Sequence, residues 1–277
     1  MATRADRILI VLPSLERGGG ERVLLQLAGL FLAAGREVHV AVLLGGGPLR
    51  PLVPDAAVLH ELVGAGSASK GLALARKAFP RLVSLLRTLR PDAVLSTMTG
   101  TNLLTALAHK LTACNARLAL REASSLVNVK SVPKRQAMRW LYRRADALVA
   151  VSAGVAGDLI GLGLPEDRIH VIHNPVDAKR LRRLASTGPA LRTDEDALYL
   201  VALGRLTEAK DYVTLLRAYA ASALRTSHRL EIVGEGEQRA NLENLVRELG
   251  LVDRVLLPGT MDNPYRVLAN AALLILS

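Results

Sequence analysis

Hydrophobic positions follow two different periods along this chain of 277 residues. Short runs of Leu, Val, Ile and Ala alternate with longer stretches in which apolar residues recur at helical spacing. The short runs predict buried strands, and the longer stretches predict amphipathic helices. Because the two kinds of segment alternate from one end to the other, we expect βαβ units and parallel sheets.

The pattern predicts enough strands for two sheets. The predicted strands cover residues 7–12, 37–44, 56–62, 92–97, 117–122, 147–152, 169–173, 197–203, 229–233, 254–257 and 271–276. The predicted helices cover residues 20–34, 71–90, 101–113, 134–145, 153–161, 211–224, 237–249 and 264–270. We expect the last strand beside 197–203, as in the usual doubly wound order.

One segment, residues 178–196, breaks this alternation. It contains clustered charge, the pair Gly188-Pro189 and an acidic run at 194–196, but no apolar period. We interpret it as a helix or loop that leads into a linker between domains. The predicted fold class is α/β with two Rossmann-like, doubly wound parallel-sheet domains, divided into a first domain at 1–180, a linker at 181–196 and a partial second domain at 197–277.

Composition narrows the choice of partners. The chain has 36 Lys and Arg against 25 Asp and Glu, and its net charge of +11 favours phosphate-bearing substrates, an anionic membrane face or nucleic acid. The single cysteine, Cys114, excludes a disulfide framework and is expected to be a small buried hydrophobe. No histidine has metal-ligand spacing, so we interpret the histidines as structural. No apolar run approaches the roughly 20 residues that span a bilayer, and we expect a cytoplasmic protein.

A glycine-rich turn joins the first predicted strand to the first predicted helix. Gly18, Gly19 and Gly20 stand in this turn, which lets backbone N–H groups approach an anion at the positive end of a helix. A merely tight turn is the alternative. The spacing G-x-G-x-x-G is absent, which argues against a nicotinamide-dependent oxidoreductase.

A second candidate site follows the apolar strand at 197–203. Arg205 and Lys210 stand just beyond its carboxyl end, where open α/β sheets bind their ligands. The arginine fork and the lysine point charge together suit a diphosphate, whereas a solvated loop with Asp211 as a helix cap is the alternative. Three glycines in the turns after the next two strands would let a nucleotide or sugar lie against the backbone: Gly234, Gly236 and Gly259.

Several longer stretches carry a family resemblance. In chain order they are GGGERV, RADALVAVSAGVAGDL, VIHNPVD, LVALGRLTEAKDYVTLLRAYA and LEIVGEGEQRANLENLVRELGLVDRVLLPG. Together they resemble the retaining glycosyltransferases of the GT4 family (glycosyl transferases group 1), whose GT-B fold has two facing Rossmann-like domains. The resemblance implies an enzyme that moves a sugar from a nucleotide-sugar donor, above all a UDP-sugar, to a saccharide or lipid-linked acceptor in surface polysaccharide synthesis. It implies no nucleic-acid partner and no metal or other cofactor.

The resemblance also assigns roles to residues. It implies that Arg205 and Lys210 neutralise the diphosphate leaving group, and that the turn Gly18 to Gly20 faces that diphosphate across the cleft. Many relatives have a histidine after the strand at 117–122, where this chain has Arg121-Glu122-Ala123-Ser124. Either Arg121 or Glu122 is therefore the candidate catalytic contact to donor or acceptor.

The glutamate pair of the family would follow the last predicted strand, where the sequence ends. We therefore expect this chain to transfer sugar inefficiently and to be poorly stable alone. The alternative function is a truncated, noncatalytic remnant that binds nucleotide or membrane.

A basic stretch occupies residues 130–144, with six Lys or Arg residues and no Asp or Glu. In helical geometry Arg135, Arg139 and Arg143 form one row, separate from an apolar stripe of Met138, Leu141, Tyr142 and Ala145. Because like charges at this spacing repel, we predict that the row faces acidic lipid or the pyrophosphate of a lipid-linked acceptor, with Trp140 at the interface. The protein would then lie peripherally on the inner face of the membrane. A solvated basic face is the alternative.

The tripeptide His173-Asn174-Pro175 follows the last strand predicted for the first domain. Its imidazole could serve as a general base. Asn-Pro is typical of a turn that leaves a sheet, so we interpret the tripeptide as structural.

Overall fold

The computed structural model describes residues 6–16, 18–69, 71–127, 129–187 and 198–276. The chain forms two compact units, Met1–Pro175 and Val176–Ser277. Residues 181–186 of the predicted linker are helical and belong to the second unit, and 188–196 lie outside the described residues.

The first unit contains one parallel sheet of seven strands in the order β3-β2-β1-β4-β5-β6-β7. The strands are β1 Arg7–Leu12, β2 Glu37–Val42, β3 Val58–Glu61, β4 Ala93–Thr97, β5 Arg117–Glu122, β6 Ala147–Ala150 and β7 Ile169–Val171. The helices are α1 Gly19–Ala33, α2 Gly71–Leu89, α3 Thr99–Thr112, α4 Val132–Tyr142 and α5 Ala153–Gly161.

Both faces of this sheet are covered, because successive strand residues point to opposite sides. Leu9 and Val11 of β1 belong to the hydrophobic cluster that includes α2 and α4, while Ile8, Ile10 and Leu12 belong to a second cluster with α1. The continuous apolar runs of the sequence follow from this double burial.

The second unit contains a parallel sheet of four strands in the order β10-β9-β8-β11. Its strands are β8 Leu198–Leu203, β9 His228–Val233, β10 Val255–Gly259 and β11 Leu273–Leu274. Its helices are α6 Ala178–Ser186, α7 Tyr212–Ala221, α8 Leu224–Ser227, α9 Arg239–Glu248 and α10 Tyr265–Ala269. The predicted fold class and the pairing of the last strand with β8 are both confirmed.

Two details differ from the sequence-based expectation. The helix predicted at 211–224 is divided into α7 and α8, because Ser222 adopts an extended conformation with ψ of 148°. Cys114 follows the end of α3 and is half-buried rather than buried. Within the described ranges, no helix combines the length and apolar character that a membrane span requires.

Candidate functional site

The loops after three neighbouring strands of the second unit are bonded to one another. Gly204 N donates to Val233 O at 3.0 Å, Leu206 N donates to Glu235 O at 2.9 Å, and Gly234 N donates to the carbonyl of Gly259 at 2.9 Å. These bonds fix a rim at the carboxyl ends of β8, β9 and β10, which is the edge where α/β sheets bind ligands.

The predicted binding glycines of this rim are packed against other backbone. A Cβ added at Gly234 would collide with the carbonyl of Gly204, and one added at Gly236 would collide with the carbonyl of Leu206. Gly259 has a φ of +86°, which favours glycine. Contact between loops therefore already accounts for these glycines, and their contact with a ligand stays a prediction.

Arg205 and Lys210 lie on the same rim, and both are exposed. None of the described residues forms a hydrogen bond or ion pair with the Arg205 guanidinium. Lys210 ends a 3₁₀ turn, Glu208–Lys210, and its Cε would lie 3.4 Å from a Cβ added at Gly204. Asp211 then caps α7 by accepting a hydrogen bond from Thr214 N at 3.3 Å. The loop thus presents two cations at the carboxyl end of β8, as the sequence predicts.

Glu122, at the end of β5, is buried in a polar network of the first unit. Its carboxylate accepts hydrogen bonds from Thr99 Oγ1 and Asn102 Nδ2, both at 3.0 Å, and from the Tyr142 hydroxyl. Asn102 also accepts a bond from Ser96 Oγ at 2.6 Å. Burial raises the pKa of Glu122, although its hydrogen bonds oppose this shift. Burial and the neighbouring Glu122 hold the pKa of Tyr142 well above its usual range.

Arg121 points to the opposite side of β5, as adjacent strand residues must. Its side chain is buried, with 4% of the residue exposed. Nη1 donates to Thr97 Oγ1 at 2.8 Å, and Nη2 donates to Asn174 Oδ1 at 2.6 Å. Burial lowers the pKa of Arg121, while the charges of Glu122 and Glu21 oppose that shift.

The structure brings the first-unit glycine turn close to this arginine. A Cβ added at Gly20 would lie 3.6 Å from Arg121 Nη1 and 3.9 Å from Thr97 Oγ1. Gly18 is the N-cap of α1 and leaves room for the Glu21 carboxylate, with which an added Cβ would collide. Gly19 has no neighbour within 4 Å of an added Cβ. Of the three glycines, Gly20 therefore contributes most directly to the surroundings of Arg121.

Sequence reasoning missed the partners of these two residues. Thr97, Thr99 and Asn102 come from the end of β4 and the start of α3, and Asn174 comes from the turn after β7. The polar run Ser-Thr-Met-Thr-Gly-Thr-Asn after an apolar strand was the available signal. His173 Nδ1 pairs with Val151 O at 3.0 Å, consistent with a structural turn.

The basic helix α4 has the predicted amphipathic pattern. Its apolar stripe is buried: Met138, Leu141, Tyr142 and Ala145. Arg135, Arg139 and Arg143 are exposed, and Arg143 Nη2 donates to Gly163 O at 2.9 Å. A Cβ added at Gly163 would lie 3.6 Å from Arg139 Nη2. Part of the row therefore lies along the turn after α5.

Trp140 projects from another side of α4. Trp140 is 49% exposed, and two cations lie close to its ring. Lys110 Nζ lies 3.6 Å from the ring centroid, and the Arg144 guanidinium carbon lies 5.3 Å from it. Both distances lie within the range of a cation–π interaction with the ring.

The described part of the chain contains no cluster of three or more His, Cys, Asp or Glu side chains that could hold a metal ion. Two histidines do lie together, since His39 Nδ1 and His60 Nε2 are 2.9 Å apart. His39 Nε2 bonds Glu37 Oε1 at 2.8 Å on its other side. This pair connects β2 and β3 rather than forming an open ligand site.

Comparison with known proteins gives matches over both units. Residues 17–180 match the family model described as Glycosyltransferase Family 4, and residues 188–277 match that described as Glycosyl transferases group 1. The N-acetylgalactosamine-N,N'-diacetylbacillosaminyl-diphospho-undecaprenol 4-alpha-N-acetylgalactosaminyltransferase of Campylobacter jejuni is 31% identical over 51% of this chain and 38% of its own length. The lipopolysaccharide core biosynthesis glycosyltransferase LpsD of Rhizobium meliloti is 34% identical over 46% of this chain and 36% of its own length. The matched stretch thus spans little more than a third of each relative.

Solved structures share the fold across nearly the whole chain. Anabaena Alr3699/HepE in complex with UDP-glucose has a TM-score of 0.80 at 19% identity, over 99% of this chain and 74% of that one. WaaG, a glycosyltransferase involved in lipopolysaccharide biosynthesis, has a TM-score of 0.67 at 16% identity, over 97% of this chain and 74% of that one. At these identities the likeness establishes the fold.

Proposed function

The chain belongs to Glycosyltransferase Family 4, and from this membership we propose that it transfers a sugar, with retention of configuration, from a UDP-sugar to a saccharide or lipid-linked saccharide. The relative from Campylobacter jejuni is named for a diphospho-undecaprenol acceptor, and LpsD is named for lipopolysaccharide core synthesis. Both names support an acceptor that belongs to a surface glycan. Alr3699/HepE was solved with UDP and with UDP-glucose, which supports a uridine diphosphate donor.

The observation that supports this proposal is the position of Arg205 and Lys210 on the rim of the second unit. Both cations are exposed on a rim that backbone hydrogen bonds hold in place, so a diphosphate can reach them without rearrangement of the loops. Charge that develops on the leaving diphosphate would be stabilised by these two side chains. We propose that they replace a divalent ion, and transfer should then be unaffected by EDTA.

Arg121 is our proposed contact to donor or acceptor in the first unit. Its guanidinium lies beside Gly20, whereas all the bonds of Glu122 point into the network around Tyr142. A catalytic contact through Glu122 stays a prediction, and the three hydrogen bonds that its carboxylate already accepts weigh against it.

Thermal unfolding with added ligands tests the proposed function. UDP and UDP-glucose should raise the melting temperature, because a ligand at a hundred times its Kd stabilises the folded state by about 2.7 kcal/mol. NAD at the same concentration should have no effect. Transfer of labelled sugar to a lipid-linked saccharide then separates an enzyme from a protein that only binds nucleotide. Absence of any UDP effect would refute the donor assignment.

We further propose that the protein binds an anionic membrane through the surface around Trp140, with the row on α4 nearby. The flanking cations Lys110 and Arg144 would contact lipid headgroups while the indole lies at the interface. Vesicles containing phosphatidylglycerol should sediment more protein than neutral vesicles at low salt. The paired change Lys110→Glu with Arg144→Glu should reduce the difference. The pair Arg225→Glu with Arg247→Glu in the second unit is the matched control, because it changes the net charge by the same amount. Equal sedimentation with both vesicle types would refute membrane binding.

A further inference from the structure

An open cavity lies at the amino ends of two strands of the first sheet. It has a volume of about 740 Å³, and its lining comes from the ends of α2 and α3 and from the starts of β4 and β5. Ligand pockets commonly measure about 300–1,000 Å³, so the cavity has room for a small molecule. Its charged lining residues are three arginines and one aspartate: Arg87, Arg90, Arg117 and Asp92.

The arginines of this cavity are exposed and have no bonded anion. Among the residues that the structure describes, none forms a hydrogen bond or an ion pair with the guanidinium of Arg87, Arg90 or Arg117. Asp92 Oδ2 instead accepts hydrogen bonds from two backbone N–H groups around the start of β1, at 2.8 and 3.1 Å. The described lining therefore has an excess of positive charge that its own aspartate does not pair with.

The helix dipole accounts for only part of this arginine cluster. Arg87 lies in the last turn of α2, where a cation stabilises the helix. Arg117 instead begins β5, and it reaches the cavity from the sheet. Cations from a helix end and from a strand start thus line one space.

Arg90 has a backbone conformation that favours glycine. Its φ is +46°, and its N–H donates to Leu86 O at 3.1 Å at the end of α2. Helices that end in this left-handed conformation usually have glycine there, because a Cβ costs roughly 1–2 kcal/mol. The arginine therefore costs stability while it adds a guanidinium to the cavity. A strained residue that lines a cavity indicates a role for its side chain there.

We infer that this cavity binds a small diphosphate-bearing ligand, whose oxygen atoms are held by Arg87, Arg90 and Arg117. A guanidinium can bind two phosphate oxygens through parallel N–H donors, and three guanidinium groups suit a ligand with several negative charges. The cavity lies away from Arg121, because Arg117 and Arg121 stand at opposite ends of β5, roughly 13 Å apart along the strand. The inference goes beyond the proposed sugar transfer and does not depend on it.

Calorimetric titration with inorganic pyrophosphate tests this site. The chain carries Arg205→Ala and Lys210→Ala, so that the rim of the second unit does not contribute. Arg87→Gln should weaken the binding about tenfold, because a charge-assisted hydrogen bond is lost. Arg76→Gln is the matched control, since Arg76 is exposed on the same helix, about three turns before Arg87, and does not line the cavity. Absence of binding, or an equal loss in both variants, would overturn the inference.

A second pair of variants separates binding from stability. Arg90→Gly should raise the melting temperature by relieving the positive φ, and yet should weaken pyrophosphate binding about tenfold. Ala113→Gly is its control, because Ala113 lines the same cavity with a φ of +47° but has no charge. That variant should raise the melting temperature and leave the affinity unchanged. Equal affinity in the two variants would contradict the proposed site.

The single cysteine of the chain, Cys114, lines this cavity and can report its occupancy. Its thiol is free and half-buried. Reaction of the thiol with the neutral reagent 4,4′-dithiodipyridine should slow several-fold in saturating pyrophosphate, because the bound ligand covers the thiol. An unchanged rate, at a concentration that saturates the calorimetric signal, would locate the ligand elsewhere and overturn the inference.

Two further measurements distinguish this site from the other proposals. Vesicles that contain phosphatidylglycerol should not slow the reaction of Cys114, and protection by vesicles but not by pyrophosphate would identify a membrane surface instead of a small-molecule site. UDP titration of the chain with Arg205 and Lys210 intact tests the proposed function separately. UDP binding there without pyrophosphate binding at the cavity would refute this inference alone.

Discussion

Removal of either cation of the second-unit rim should weaken UDP binding without harming the fold. Arg205 and Lys210 are exposed, so their substitution should change the free energy of unfolding by less than about 0.5 kcal/mol. A hydrogen bond to a charged group contributes about 1.5–3 kcal/mol to binding. Because both residues are exposed, we expect the lower end, which is about a tenfold rise in Kd for each.

The choice of substitutions follows from the contacts of each side chain. The Lys210 stem packs beside Gly204, so Lys210→Met removes the charge while keeping most of that contact. Arg205→Lys keeps the charge but loses the two-pronged donor, and its effect should be smaller than that of Arg205→Ala. Arg225→Ala is the matched control, because α8 precedes β9 and lies at the opposite edge of the sheet from the rim.

Isothermal titration calorimetry with UDP is the appropriate assay. Titrations at low salt and near 0.15 M salt should differ, because the Debye length falls to about 8 Å at the higher value and exposed charges are screened. The unsubstituted chain should lose more affinity with salt than the Lys210→Met variant. Unchanged Kd values in both Arg205→Ala and Lys210→Met would remove these residues from the donor site.

Three predictions concern stability. Tyr142→Phe should reduce the free energy of unfolding by about 1–3 kcal/mol, because the buried Glu122 carboxylate loses a hydrogen-bond donor. An unchanged free energy in urea unfolding would contradict this. Ala113→Gly should raise the melting temperature by relieving a φ of +47°, and should stabilise the chain by about 0.5–1 kcal/mol; an unchanged or lower value would contradict this. Burial and His39 lower the pKa of His60 in the folded chain. As the pH drops below 6.5, His60 therefore takes up a proton in the unfolded chain before it does so in the folded chain, and the free energy of unfolding should fall. His60→Gln should flatten that part of the urea-midpoint profile, and an unaltered slope would exclude His60 as its source.

The periodic parts of the fold were predictable from sequence because burial dictates them. β1 and β8 are buried on both faces, which requires uninterrupted apolar runs, and helices such as α4 need one apolar stripe. The break between α7 and α8 was not predictable in this way. It depends on the backbone conformation of Ser222, and no change in hydrophobic period marks that residue.

The candidate sites differ in how much the sequence could reveal. The location of Arg205 and Lys210 at the ligand-binding edge of the sheet follows from their position just after β8, once that strand is identified. The glycines of the rim were also identified, but for a ligand, whereas the structure shows that Gly234 and Gly236 first allow neighbouring loops to touch. A glycine in a turn indicates that another group approaches the backbone closely, and the three-dimensional structure is needed to identify that group.

Arg121 and Glu122 show why adjacent charged residues at a strand end cannot be assigned from sequence alone. Strand geometry guarantees that they face opposite sides, but the role of each depends on partners from distant segments. Tyr142 and Asn102 complete the hydrogen bonding of Glu122, while Asn174, 53 positions away in sequence, holds Arg121. Glu122 therefore accepts three hydrogen bonds from the protein, whereas Arg121 is held by two neutral oxygen atoms. The bonding of two neighbouring ionisable residues at a strand end is thus decided by partners that only the folded chain brings together.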